Sequence, residues 1–155
     1  MINLKKDIWF YALIASILII ISLFIPARII HSGMYGDMLQ WLGGSVMLEL
    51  DSGVWHEDLF GILLFSAVLI STTLILTMII NTRRGNEFKR DSIIYLLSGG
   101  IIFILTIFYW IFEFDPAFET IGFTTIGIFI SSIILIIAFV IDKVKTERNG
   151  NSISQ

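Results

Sequence analysis

Seven side chains able to ligate a metal or move a proton crowd one segment: His31, Asp37, Glu49, Asp51, His56, Glu57 and Asp58. Imidazole and carboxylate ligands suit zinc or manganese. Their spacing matches no metal motif, and His56-Glu57-Asp58 is a run of three polar neighbours, so no metal site is expected. The acids at 57 and 58 have a plainer role: they precede an apolar run, where negative charge complements the positive end of a helix. A hydrolase needs a nucleophile within reach of a base. The serines and threonines inside the apolar runs have no His, Asp or Lys beside them. Leu42-Gly43-Gly44 and Ser98-Gly99-Gly100 lack the rest of a phosphate-binding loop. The chain has no cysteine, which removes disulfides, thiolate catalysis and zinc–sulfur sites. The expectation is a protein with no catalytic residues, no cofactor and no enzymatic activity.

The elements that hold these residues are unusually apolar. The chain has 155 residues, enough for one domain. Hydrophobic residues make up 56%, charged residues 15%, and the mean hydropathy is +0.89. Soluble domains carry about a quarter charged residues. A chain this apolar cannot hide its surface from water, so the bilayer is its solvent. The net charge of −3 gives no reason to expect a nucleic-acid partner.

Four runs pass the membrane-helix test of about 20 mostly apolar residues. The expected spans are 8–26, 59–80, 93–112 and 116–142, in a single domain over 1–145, with a disordered polar tail at 146–155. The apolar runs themselves contain no Asp, Glu, Lys, Arg or His. Lipid demands that backbone groups pair within the segment, which selects helices. Asp115-Pro116 reads as an N-cap followed by the first helical residue, which predicts a tight hairpin between the last two spans. Nine of the ten basic residues fall on the side of the termini and the 81–92 loop, and only Arg28 falls on the other. That asymmetry predicts cytoplasmic termini and outward-facing 27–58 and 113–115 connections. Lys5-Lys6 followed by an apolar run and Ile25-Pro26-Ala27 also has the outline of a signal peptide. The run is longer than a usual signal core and Ile25 is a poor −3 residue, so the first helix is expected to stay.

Small residues four apart recur: Ala12 with Ser16, Ala67 with Ser71, and Gly127 with Ser131. Each pair lets another backbone approach, and Gly99 and Gly100 serve the third helix in the same way. The hydroxyls at membrane depth are expected to bond within the bundle as packing glue. The competing reading is a polar path lined by Ser66, Thr73, Thr77 or Ser131. Arg83, Arg84, Lys89 and Arg90 in the inner loop set topology and suit anionic headgroups.

The segment 40–58, QWLGGSVMLELDSGVWHED, is neither a span nor a polar loop. Val46, Leu48 and Leu50 alternate with Met47, Glu49 and Asp51, which argues a short half-buried strand. Asp51-Ser52-Gly53 is a turn signal. Leu39, Leu42 and Val46 fit helical spacing, which predicts a short interfacial helix near 34–42 before the strand. Ile29 and Ile30 are a candidate partner strand. Trp41 and Trp55 suit a membrane boundary, with one apolar and one wet edge. The layout resembles the tetraspan arrangement of the claudin and peripheral-myelin-protein group. That resemblance implies inner termini, a larger first outer loop with strands and a short second loop. Gly53-Val54-Trp55 is similar to the Gly-Leu-Trp of that group. The paired loop cysteines are absent, the loop is shorter, and Trp41 lies closer to Trp55 than in that pattern.

The expected fold is therefore an all-α membrane protein: a four-helix transmembrane bundle with a small outer subdomain of short strands. The expected function is non-enzymatic, through protein or lipid contacts, as an assembly, adhesion or accessory subunit. Trp41, Leu48, Leu50 and Trp55 are the candidate contact residues. The lipid bilayer, a second copy or another membrane protein is the expected partner. An oligomeric transporter or channel subunit with a hydroxyl-lined path is the alternative.

Overall fold

A computed structural model describes residues 8–32, 36–42, 44–47, 56–57, 59–83, 91–113, 116–117 and 119–151. Four helices dominate: α1 (Ile8–Leu23), α2 (Leu59–Arg83), α3 (Asp91–Glu113) and α4 (Phe123–Asn151). They pack as a ring, α1 on α4, α4 on α3, α3 on α2 and α2 on α1. Within them, Leu59–Thr82, Ile93–Phe112 and Phe123–Val144 are long and apolar enough to cross a membrane. The 16 residues of α1 are equally apolar but shorter.

The bundle reverses the pattern of a water-soluble one. Its interior faces are rich in small and hydroxyl side chains: Ala12, Ala15, Ser16 and Ser22 on α1; Ser98 and Thr106 on α3; Thr124, Thr125, Ser131, Ser132 and Ala138 on α4. Large aliphatics point out, among them Ile17, Ile21, Leu63, Ile70, Leu74, Leu97, Ile104, Ile130 and Ile137. In lipid, Leu and Ile gain nothing by hiding, and close backbone approach decides which face turns inward. Two clusters of larger buried side chains fill the remaining space. One lies at the sheet end, around Ile19, Leu64, Ile102, Tyr109 and Ile128. The other lies at the far end, around Ile75, Met78, Ile79, Tyr95 and Leu135.

The α1–α2 and α3–α4 connections combine into one antiparallel sheet. Its strands are β1 (Arg28–Ser32), β2 (Gly36–Trp41), β3 (Gly44–Met47), β4 (His56–Glu57) and β5 (Glu119–Ile121), in the order β4-β3-β2-β1-β5. Ile29 pairs with Leu39, Leu39 with Val46, and Ser45 with His56. On the other side of β1, Arg28 pairs with Ile121 and Ile30 with Glu119.

Three expectations change here. Residues 36–41 form a strand and not an interfacial helix. Inward Gln40 and Arg28 are opposite each other in register, so a period of two outweighs the helical spacing of Leu39, Leu42 and Val46. The fourth helix begins at Phe123 and not at Pro116. Pro116 and Ala117 form a turn, and 119–121 is recruited to β1, so the α3–α4 connection is longer than a tight hairpin. The helix also runs on through 146–151, where composition reads as a disordered tail.

Candidate functional site: a buried charge cluster under the sheet

Arg28, the one Lys or Arg in the α1–α2 and α3–α4 connections, opens β1 and turns toward the bundle. Its Nε–H donates to Gln40 Oε1 at 2.7 Å, from β2. Its Nη1 donates to both Glu119 oxygens, at 3.1 and 2.9 Å, from β5. The guanidinium carbon stands 5.6 Å from the ring centre of Tyr109 on α3. The Arg28 and Glu119 side chains are only 7% and 9% exposed, and Gln40 and Tyr109 are buried. A buried guanidinium is tolerable when a carboxylate neutralises it and other acceptors occupy its donors. Here β1, β2, β5 and α3 each supply a part, so the cluster fastens both connections to the bundle.

Backbone contacts beside the cluster reinforce that seam. Ala27 N–H donates to Gln40 O at 2.6 Å, and Gly122 N–H donates to Ala27 O at 2.8 Å. A side chain at 122 would run into the backbone of Pro26 and Ala27, so glycine is the residue that permits this approach. The last carbonyls of a helix lack intrahelical partners. For α1, the Thr124 hydroxyl on α4 contacts both Ser22 O and Ile25 O. Thr125 Oγ1 meets Ala27 O at 3.3 Å and Gly122 O at 3.0 Å. Ser22 Oγ sits where a Gly127 side chain would stand. Above the seam, on the other face of β1, exposed His31 meets Thr120 Oγ1 through Nε2 at 2.9 Å.

The residues singled out by spacing are distributed as follows. Ala12, Ser16 and Ser131 are fully buried, Ser71 is buried, and Ala67 is half-buried. Ser16 and Ser131 donate to the carbonyls of Ala12 and Gly127, at 2.9 and 2.7 Å. Gly99 lies against α4: an added Cβ would be 2.9 Å from Ser132 O and 3.0 Å from Leu135 Cβ. Gly100 differs, with nothing within 4 Å of that position. Trp41 ends β2 opposite Gly44 and is half-buried. Arg83 closes α2. Leu48, Leu50, Trp55, Arg84, Lys89 and Arg90 lie outside the described residues. Among the described residues, no group of three or more His, Asp or Glu side chains comes together as a metal site.

Sequence reasoning treated Arg28 as an exception in a topology count and passed over Gln40 and Glu119. One signal was available. A single arginine on an otherwise acidic side has to be neutralised, and Glu119 is one of few acids in the α3–α4 connection.

Fold and site together define a mostly helical bundle, with three helices able to cross a membrane and one end covered by a sheet. No protein-family model matches the chain, and no curated protein matches it.

Proposed function

We propose that this is a four-span integral membrane protein of non-enzymatic function, which presents the sheet as a contact surface for another protein or a second copy. The observation that carries the reading is the fastening of two separate connections into one sheet over the bundle end by Arg28, Gln40 and Glu119. A buried charge cluster is costly to build, and it is out of proportion for loops that only join helices. On the far face of that sheet, Ile29 and Leu39 are register partners, flanked by Trp41. Rigid apolar and aromatic groups of this kind are what contact surfaces use.

The ring of helices, in which α1 packs along α4, supports the reading of α1 as a fourth span. At about 1.5 Å per residue, α1 measures roughly 24 Å, and tilt or local thinning accommodates the difference from the others. The sheet faces outward in this reading, because Lys5, Lys6, Arg83, Arg84, Lys89, Arg90, Lys143, Lys145 and Arg148 all belong to the opposite side. The inner loop and its four basic residues then meet the cytoplasmic headgroups.

The channel alternative has less support. Ser66, Thr73 and Thr77 are exposed on the outer face of α2, whereas Ser131 is buried. Thr73 and Thr77 donate to Leu69 O and Thr73 O on their own helix, both at 2.8 Å. Thr72 and Thr106 do the same on the inside, both at 2.7 Å.

The test compares purified protein in lipid nanodiscs and in native membranes. Trp41→Ala and Trp55→Ala are expected to weaken self-association or partner cross-linking at least tenfold, since hot-spot truncations cost about 2 kcal/mol or more. Helical content and extraction yield should stay unchanged. Wild-type association in both variants would remove the sheet as the contact surface.

A further inference from the structure

We propose that β5 is a strap held shut by the Arg28–Glu119 pair, and that it guards the edge of β1. With β5 in place, β1 is an interior strand of the sheet. With β5 gone, the five residues Arg28–Ser32, including Ile29 and Ile30, become the edge. An unpaired edge strand of that kind is a template for an extended segment of another chain.

The strap is short, three residues, and its Thr120 and Ile121 are exposed. Strands this short are marginal on backbone pairing alone. Beside the exposed His31–Thr120 contact, Glu119 supplies the buried hold, with both oxygens on Arg28 Nη1 and the pair almost wholly buried. Gln40 and Tyr109 grip the guanidinium from β2 and α3. Loss of Glu119 leaves the Arg28 guanidinium without its neutralising carboxylate, so Arg28 loosens with the strap and opening is confined to β1 and β5. The arrangement has two defined states. In one, the carboxylate is in the cluster and β1 is covered. In the other, β5 is undocked, Arg28 turns from the cluster toward water, and the β1 edge is open to strand addition.

Hydrogen–deuterium exchange of the full chain in nanodiscs tests this. Glu119→Gln removes the charge and keeps the size. Exchange is expected to rise at least tenfold in β1 and β5 while the interiors of α3 and α4 keep their protection. Ile29 and Thr120 are register partners, and the chain has no other cysteine. In the Glu119→Gln background, a disulfide between Ile29→Cys and Thr120→Cys should restore protection, and reductant should reverse it. If Glu119→Gln alone does not fold, the oxidised triple variant is prepared and reduced in place. Unchanged exchange would overturn the proposal. So would an equal rise in the helices, which would make the pair a general stabiliser, or failure of the disulfide to restore protection.

Discussion

A guanidinium removed from water has to recover its hydration from neighbouring atoms. Arg28 does so across three strands and one helix, and so it is the residue through which the sheet is coupled to the bundle. Two adjacent glycines show the same dependence on environment at smaller cost. Gly99 faces the α4 backbone at close range, and Gly100 faces nothing. Gly99→Ala forces α3 from α4 and should lower stability by about 1–3 kcal/mol, the usual cost of overpacking. Gly100→Ala should be neutral or stabilising by about 0.5–1 kcal/mol, because alanine suits a helix interior better. Thermal unfolding in mild detergent separates the two. Equal effects would mean that the α3–α4 approach is looser than these distances.

At the scale of elements, the end of α1 is closed from outside itself. Phe24 and Ile25 N–H groups donate back to Ile21 O and Ser22 O, at 3.2 and 3.1 Å. The Thr124 hydroxyl then reaches the Ser22 and Ile25 carbonyls from α4. Helix α4 thus caps α1 while starting itself, and this joint sets where β1 leaves the bundle. Thr124→Val keeps the shape and removes the donor. Ser22 O keeps Ile25 N–H, so the loss falls on Ile25 O and should cost about 1–3 kcal/mol, the range for a buried polar group left unsatisfied. Faster exchange at 24–28 should accompany the loss. Stability within about 0.5 kcal/mol of wild type, a change typical of an inconsequential site, would show that the carbonyls find other partners. Further along α4, Ile136 faces α3. Its Cγ1 would be 3.2 Å from a Cβ at Gly99. Ile133 and Ile137 are the exposed neighbours.

For the whole molecule, the test of orientation is accessibility. Absence of native cysteine makes single-cysteine labelling unambiguous. In intact cells, Thr120→Cys on β5 and Ser52→Cys in the first connection should react with an impermeant maleimide. Asn86→Cys and Ser152→Cys should react only after the membrane is opened. Ile104→Cys, exposed in mid-helix on α3, should stay unreactive in both conditions. Reaction of Asn86→Cys from outside would invert the topology. Reaction of Ile104→Cys would remove the bilayer from that face altogether.

Helices were legible in the sequence because their signal is local. Uncharged apolar runs of sufficient length satisfy their own backbone in lipid wherever they pack, and α2 and α3 begin and end within three residues of the runs. Spacing also singled out Ser16, Ser131 and Gly99 as small residues, though not which neighbour each would meet. The sheet was legible only in part, at Ile29, Ile30 and Val46. Strand pairing joins residues distant in the chain, and Asp115-Pro116 carries a helix-start signal that is locally sound. Tertiary structure overrode that signal because β1 needs a partner on its second side and Arg28 needs a carboxylate. Glu119, 91 residues away in the chain, satisfies both. Composition and length are enough to select the bilayer as solvent. The long-range pairing of one buried charge decided the start of the last helix and the shape of the sheet over the bundle end.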